Sequence, residues 1–131
     1  MKLLLMILAG VLAIVNTKLQ RINAQGTLSC FGKPVHGATV ELWERNEKGP
    51  NDLLATTTSK NGTYSLDGSE DEEGALEPFL VIIHNCNVTC KGCHQSLVYE
   101  LRDSCRCKKT ITHKSFGLSE MRLETEKWLA R

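Results

Sequence analysis

The fold class is decided by the stretch Leu53-Leu-Ala-Thr-Thr-Thr-Ser-Lys-Asn-Gly-Thr-Tyr-Ser-Leu-Asp67, which places an Asn-Gly pair between two β-prone runs. Asn61 and Gly62 tolerate the positive φ angles of a type I′ turn, and such a pair between extended runs is the strongest short signal for a β-hairpin. Residues 53–58 and 63–67 are therefore the two predicted strands of one hairpin.

Further strands are predicted on both sides of this hairpin. Val40 and Leu42 alternate with polar neighbours, as in a strand that packs one face on a core. The apolar run Phe79-Leu-Val-Ile-Ile-His84 is typical of a strand buried between two layers. Residues 119–131 fit either a strand or a capped helix. Some seven or eight short strands predict an all-β sandwich. The predicted strands outside the hairpin span residues 26–31, 38–45, 79–84, 96–102 and 107–113.

The N-terminal residues have the pattern of a secretory signal peptide. Lys2 precedes 13 apolar residues, Leu3–Val15, a run shorter than the roughly 20 residues that span a bilayer. The stretch Ile22-Asn-Ala24 offers a small residue for cleavage, so we predict a signal peptide over 1–24 and one secreted, extracellular domain over 25–131. The formal charge of +1 on 131 residues excludes a globally basic nucleic-acid binder.

The six cysteines predict disulfides, because disulfides are the default in an oxidising compartment. Six cysteines allow 15 pairings, which spacing alone does not resolve. Five of the six lie between residues 86 and 107, so most bridges are expected to be local, whereas the first must reach a distant partner. The six are Cys30, Cys86, Cys90, Cys93, Cys105 and Cys107.

Three other interpretations of these cysteines are less favoured. The stretch Cys90-Lys-Gly-Cys-His94 matches a haem-attachment motif, but haem also needs a shielded pocket. The second alternative is a tetrahedral zinc site formed by Cys90, Cys93, Cys105 and Cys107, with His84 and His94 nearby. Its second pair is C-x-C where C-x-x-C is usual, and oxidation competes with metal binding in a secreted chain. A thioredoxin-like C-x-x-C should begin a helix, whereas the flanking residues are typical of strands and loops. Structural disulfides therefore remain the favoured interpretation, and no cofactor is predicted.

Several blocks of the chain resemble the nematode transthyretin-like family. They are Gly26-Thr-Leu-Ser-Cys-Phe-Gly-Lys-Pro34, Val40-Glu-Leu-Trp-Glu44, Ser59-Lys-Asn-Gly-Thr-Tyr-Ser-Leu-Asp-Gly68, and Pro78 to Cys86 with its ending Ile-His-Asn-Cys. The resemblance implies a secreted, disulfide-stapled Greek-key β-sandwich of the transthyretin (prealbumin) type, with seven to eight strands.

The cysteine pattern departs from that of the family. The family usually carries a cysteine near its C-terminus, whereas this chain ends Trp128-Leu-Ala-Arg131 and has additional cysteines earlier. The family's stapling therefore cannot be transferred. The favoured pairings are Cys86 with Cys90 or Cys93, and Cys30 with Cys105 or Cys107.

The resemblance implies a non-catalytic extracellular binding protein for a small apolar ligand, a lipid or a cell-surface protein. Transthyretin carries thyroid hormone, and its enzymatic relatives hydrolyse 5-hydroxyisourate with a His and Arg cleft and a Tyr-Arg-Gly-Ser terminus. This chain lacks that terminus, and His84 at the end of a buried strand is expected to be packed or hydrogen-bonded rather than a base. The alternatives are a metal or haem protein using the Cys86–Cys107 cluster, and a related hydrolase. Association of two copies as a homodimer stays open.

Charge patterning suggests where such a binding protein would contact its partner. The resemblance also implies a bridging role, because one nematode family member looks to be an extracellular protein that links phosphatidylserine on dying cells to an engulfment receptor. Residues 102–114 hold five bases and one acid, which could meet anionic lipid headgroups. The alternative is a solvated edge strand whose lysines discourage pairing. The candidate contacts are Arg102, Arg106, Lys108, Lys109 and Lys114.

Two other polar features are predicted to lie in loops. Residues 67–77 hold six acids and no base, but Glu70-Asp-Glu-Glu73 lacks the spacing of a calcium-binding EF-hand loop and is interpreted as a solvated linker. The sequons Asn61-Gly-Thr63 and Asn87-Val-Thr89 predict N-glycosylation sites in turns.

Overall fold

The protein folds as two four-stranded β-sheets that pack face to face. A computed structural model describes residues 18–72, 74–101 and 110–119. This part of the chain contains no α-helix, and hence no helix that crosses a membrane. The strands are β1 (Lys18–Cys30), β2 (Lys33–Pro34), β3 (Thr39–Glu44), β4 (Asp52–Thr58), β5 (Thr63–Glu72), β6 (Pro78–His84), β7 (Gln95–Glu100) and β8 (Thr110–Gly117).

The long strand β1 organises the first sheet. It runs antiparallel to β5, from Lys18 opposite Glu72 to Thr27 opposite Thr63. On its other side it runs parallel to β8, and its C-terminal end turns back into the short β2. The second sheet has the order β4-β3-β6-β7 and is antiparallel throughout.

The core lies between the two sheets, where apolar side chains alternate inward along the strands. In β3 the side chains of Val40 and Leu42 are fully buried, as the alternation predicts. In β6 the apolar run is mostly buried, which confirms the central strand expected there. The all-β sandwich of seven to eight strands is confirmed. Other buried members of the core are Ile22, Ala24, Leu28, Leu66, Leu80, Ile82, Leu97 and Phe116.

The Asn-Gly turn forms as predicted, but the predicted hairpin is wrong, because β4 pairs with β3 in the second sheet while β5 pairs with β1 in the first. Asn61 and Gly62 have φ angles of 50° and 79°. The flanking residues close the turn, because the Lys60 N–H donates to the Thr63 carbonyl at 2.9 Å and the Thr63 N–H donates back at 3.0 Å. Two consecutive residues with positive φ that are closed in this way are the signature of a type I′ turn. This turn leads the chain from one sheet to the other, with a bridge between Lys60 and Thr63.

Strand β1 begins earlier than the sequence predicts. The boundary predicted after Ala24 falls inside this strand, and the side chains of Ile22 and Ala24 are only 2% and 0% exposed. The residues between Val15 and Gly26 include the charged Lys18 and Arg21, so this segment is not predicted to be a strand. Their strand character depends on pairing with β5, which is remote in sequence.

The linker predicted at the acidic stretch Glu70-Asp-Glu-Glu73 is wrong for its first three residues. Glu70, Asp71 and Glu72 are the last residues of β5 and pair with residues 18–20 of β1. The strand continues because β1 itself extends that far and supplies the ladder partners. The last strand continues to Gly117, beyond the predicted end at residue 113, and the first three residues of the prediction, 107–109, lie outside the described residues. The alternative between strand and helix at residues 119–131 stays a prediction, because all of these residues except Ser119 lie outside the described residues.

Candidate binding surface and disulfide sites

One disulfide joins the two sheets at one end of the sandwich. It links Cys30, at the end of β1, to Cys86, two residues after β6, across a sequence separation of 56. Cys86 is 5% exposed and belongs to the core cluster, and Cys30 packs against that cluster. This bond therefore holds the two layers together from inside the core.

A second disulfide lies on the surface. It links Cys90 to Cys93 in the loop between β6 and β7, across a sequence separation of 3. The favoured pairings of the sequence interpretation, Cys86 with Cys90 or Cys93 and Cys30 with Cys105 or Cys107, are therefore wrong. The folded sandwich brings the ends of β1 and β6 together, which spacing along the chain does not reveal. Cys105 and Cys107 lie outside the described residues.

Four segments meet at the disulfide-linked end of the sandwich, which we call the loop end: residues 30–37, 59–63, 85–94 and 117–119. Hydrogen bonds join residues 30–37 to 59–63 and to 117–119, and the Cys30–Cys86 disulfide joins them to 85–94. The Gly62 N–H donates to the Val35 carbonyl at 3.0 Å, and the Phe31 N–H donates to Ser119 Oγ at 3.0 Å. The loop end is thus a connected surface built on both sheets.

Phe31 is the most exposed large apolar residue of the described chain, with 69% of its surface accessible. It forms a two-residue turn with Gly32 between the paired residues Cys30 and Lys33. Both turn residues have positive φ, 50° for Phe31 and 76° for Gly32. A bulky residue at positive φ is a conformational outlier, and such strain concentrates at functional sites.

The loop end carries positive charge and no acidic residue. Lys33, Lys60 and Lys91 are exposed on three of its segments. The four segments contain no aspartate or glutamate. At the opposite end of the sandwich, residues 44–52, 67–72 and 74–77 hold eight acidic and two basic residues. We call these the acidic end. The described part of the molecule is therefore electrically polarised from end to end.

His84 lies beneath the loop end and is 2% exposed. Its Nδ1 accepts a hydrogen bond from the Cys86 N–H at 3.1 Å. Burial lowers the pKa of His84, and repulsion from His94 lowers it further. The expectation of a packed, hydrogen-bonded histidine is confirmed.

Comparison with known proteins places this sandwich in a family. A sequence profile of the transthyretin-like family matches residues 25–101. The chain belongs to the transthyretin-like family. This family member is 28% identical over 118 residues to transthyretin-like protein 1 of Caenorhabditis elegans, covering 84% of this chain and 76% of that one. It is 33% identical over 105 residues to transthyretin-like protein 5 of the same organism, covering 78% and 74% respectively.

A solved structure gives a weaker likeness. A 9R-lipoxygenase from Cyanothece superposes with a TM-score of 0.49 at 20% identity, over 77% of this chain and 16% of that one. This similarity supports no statement about function.

The sequence-predicted contact residues fall in different places. Lys114 lies within β8, with its Nζ 5.3 Å from the centre of the Tyr99 ring. Both sequon asparagines, Asn61 and Asn87, lie at the loop end, with positive φ of 50° and 57°. The other four predicted contacts, Arg102, Arg106, Lys108 and Lys109, lie outside the described residues.

Sequence reasoning missed two features of the family member. One is the exposure of Phe31. Its signal in the sequence is that an aromatic residue directly precedes Gly32, at a position of a two-residue turn where asparagine is typical. The other is a group of carboxylates at the acidic end, in which oxygens of Glu44, Asp52 and Glu70 lie within 4.8 Å of one another. Acidic clusters alone do not define an ion site, and we assign none here.

Replacing Phe31 with asparagine should stabilise the fold of this family member. Asparagine tolerates positive φ, whereas the left-handed conformation costs an ordinary L-residue about 1–2 kcal/mol. We expect the F31N variant to gain about 1 kcal/mol in free energy of unfolding, measured by urea denaturation. A loss of stability would mean that the exposed ring makes native contacts that the structure does not show.

Acid should weaken the fold through His84. Its folded pKa lies below that of the unfolded chain, so below about pH 6.5 the unfolded state binds a proton that the folded state does not. The stabilising contribution is complete above the unfolded pKa and declines as pH falls towards the folded pKa. We expect urea denaturation between pH 7.5 and 5 to show this loss, and the H84N variant to flatten it. The exposed His36, changed to asparagine, is the matched control, because it leaves the buried imidazole in place.

Proposed function

We propose that this protein is a secreted, non-catalytic binding module that contacts anionic lipid surfaces through its loop end. The observation that carries the proposal is Phe31, exposed at the tip of a strained turn on a loop end whose four segments hold exposed lysines and no acidic residue. Strained residues are retained when their side chain serves a purpose, and an exposed aromatic ring beside cationic side chains suits a lipid interface.

The physical magnitudes fit a weak, reversible contact. Burying a phenylalanine side chain is worth about 1.5–3 kcal/mol. Each lysine near an anionic leaflet adds about 1 kcal/mol, so Lys33, Lys60 and Lys91 together add about 3 kcal/mol at moderate salt. The sum of about 4.5–6 kcal/mol corresponds to a dissociation constant of roughly 0.04–0.5 mM. Such a module needs a second contact, with a protein or with another copy, to bind stably.

Secretion is part of the same proposal. The apolar leader pattern of residues 3–15 and the two disulfides both fit an oxidising compartment. A cavity of about 470 Å³ at the acidic end is lined mainly by polar and charged residues, including Glu44, Arg45 and Glu77. This lining does not suit a small apolar ligand, so we favour a surface contact over ligand transport.

The proposed lack of catalysis is supported by the hydrogen bonds of two described histidines, His84 and His36. His84 is buried and accepts a backbone hydrogen bond, and His36 Nδ1 accepts the Asn61 N–H at 3.4 Å. Neither nitrogen is available as a base while it accepts these bonds. In the metal and haem alternatives, Cys90 and Cys93 would have to act as ligands or attachment points, but they are bonded to each other in this structure.

The test is co-sedimentation with lipid vesicles at low salt. We expect binding to vesicles that contain phosphatidylserine and none to pure phosphatidylcholine, with affinity falling as salt is raised. Because both sequons lie at the loop end, the protein is assayed before and after enzymatic removal of N-glycans. Failure to bind phosphatidylserine vesicles in both forms would overturn the lipid assignment and leave a protein partner as the remaining occupant of the surface.

A further inference from the structure

The two described disulfides differ in how accessible their sulfurs are. Cys86 is 5% exposed within the core and Cys30 is half-buried, whereas Cys90 is exposed and Cys93 is half-buried on the surface loop. Thiol–disulfide exchange requires a thiolate to reach one of the sulfurs, so exposed disulfides are the labile ones. The Cys90–Cys93 bond therefore has an exposed residue at which a thiolate can attack, whereas neither residue of the Cys30–Cys86 bond is exposed.

Opening the surface disulfide would leave the sandwich intact. The core cluster includes Cys86 and Leu97 but draws no member from residues 87–94. The bond closes a sequence separation of only 3, so it constrains a short stretch of loop. Its backbone support is one N–H from Cys93 to the Cys90 carbonyl at 3.3 Å.

The surroundings of this bond favour the released thiolate. Lys91 lies between the two cysteines and His94 follows them, and both side chains are exposed. Residues 85–94 contain no acidic residue. Positive charge beside a sulfur stabilises the thiolate, which makes it a better leaving group.

We propose that Cys90–Cys93 is a thiol–disulfide exchange site for small thiols, separate from the structural Cys30–Cys86 bond. A thiolate attacks Sγ of the exposed Cys90, forming a mixed disulfide and breaking the bond to Cys93, which leaves as a thiolate. A second thiolate then attacks the small-molecule sulfur of the mixed disulfide and releases Cys90. In the net reaction two thiols lose two electrons and become one disulfide, and the protein gains two electrons and two protons as a dithiol.

The experiment follows both bonds in the full-length protein exposed to reduced glutathione at pH 7.5. Samples are quenched with an alkylating reagent at intervals, and each cysteine is located by peptide mass spectrometry. We expect Cys90 and Cys93 to become alkylated at a rate at least roughly tenfold above that of Cys30 and Cys86, with the circular dichroism spectrum unchanged. Equal rates for the two bonds, or a Cys90–Cys93 bond that stays closed, would overturn the proposal.

Single variants test the order of the steps. In the C93S variant the exposed Cys90 has lost its partner, so we expect it to accumulate a stable glutathione adduct. The C90S variant leaves the half-buried Cys93, which should form the adduct more slowly. Peptide mapping of the untreated protein is the remaining check, because a bond from Cys90 or Cys93 to Cys105 or Cys107 would contradict the site. This result does not depend on lipid binding, so the two proposals can fail separately.

Discussion

Replacing Cys30 and Cys86 with alanine should lower the free energy of unfolding by about 4 kcal/mol. The bond closes a sequence separation of 56, and a cross-link of that length removes much of the chain entropy of the unfolded state. Because net stability is commonly 5–15 kcal/mol, a loss of this size is a large fraction of the total. Chemical denaturation followed by circular dichroism measures it directly.

The matched control for this prediction is the surface disulfide. The C90A/C93A variant removes a bond with a sequence separation of 3, for which the same chain-entropy argument gives a loss of about 2 kcal/mol or less. Comparable losses from the two double variants would contradict the assignment of Cys30–Cys86 as the bond that holds the sheets together.

Replacing Gly26 with alanine should cost about 3 kcal/mol or more. Gly26 lies in the middle of β1, opposite Tyr64 of β5 on one side and Lys114 of β8 on the other. Tyr64 reaches across it, and its hydroxyl donates to the Lys114 carbonyl at 2.8 Å. A Cβ at this position would overlap the Lys114 carbonyl oxygen and lie 2.6 Å from the Tyr64 hydroxyl. This overlap can be relieved only if the backbone of a paired strand moves. We therefore expect a loss of free energy of unfolding at the upper end of the range of about 1–3 kcal/mol that is typical of overpacking.

Gly49 provides the control for that substitution. A Cβ added there meets no atom within 4 Å, and no positive φ is recorded for it. We expect the G49A variant to stay within about 0.5 kcal/mol of the unchanged protein in urea denaturation. If G26A unfolded at the same urea concentration as G49A, the close crossing of β5, β1 and β8 would be incorrect.

The burial of Tyr64 shows why this crossing matters. Burial raises the pKa of Tyr64 to about 12, so the phenol remains a hydrogen-bond donor throughout the physiological range. The hydrogen bond from Tyr64 to the Lys114 carbonyl therefore connects β5 to β8 across β1 and is not lost by deprotonation of the phenol in this pH range.

Local patterns in the sequence predicted much of the sandwich. The Asn61-Gly62 turn was predictable because both residues act on their own backbone. The buried faces of β3 and β6 were predictable because alternation and apolar runs report burial directly. The family resemblance was carried by blocks at residues 26–34, 59–68 and 78–86, and it is confirmed by the profile match.

Features that depend on remote partners were not predictable. The start of β1 at Lys18 and the end of β5 at Glu72 define each other, because each supplies the other's ladder partner. The pairing of Cys30 with Cys86 depends on how two sheets meet. The binding candidate Phe31 was missed because Phe-Gly is not a typical turn pair, and its exposure follows from the hairpin between β1 and β2.

The most direct test of the proposed function measures vesicle binding by the F31N variant. This variant removes the exposed ring and relieves the strained turn, so any loss of binding cannot be attributed to unfolding. The control is L53N, since Leu53 is also exposed, at 48%, but lies at the acidic end. We predict that F31N binds vesicles containing phosphatidylserine about tenfold more weakly or worse, while L53N binds like the unchanged protein. Undiminished binding by F31N, or an equal loss in L53N, would contradict the loop end as the contact surface.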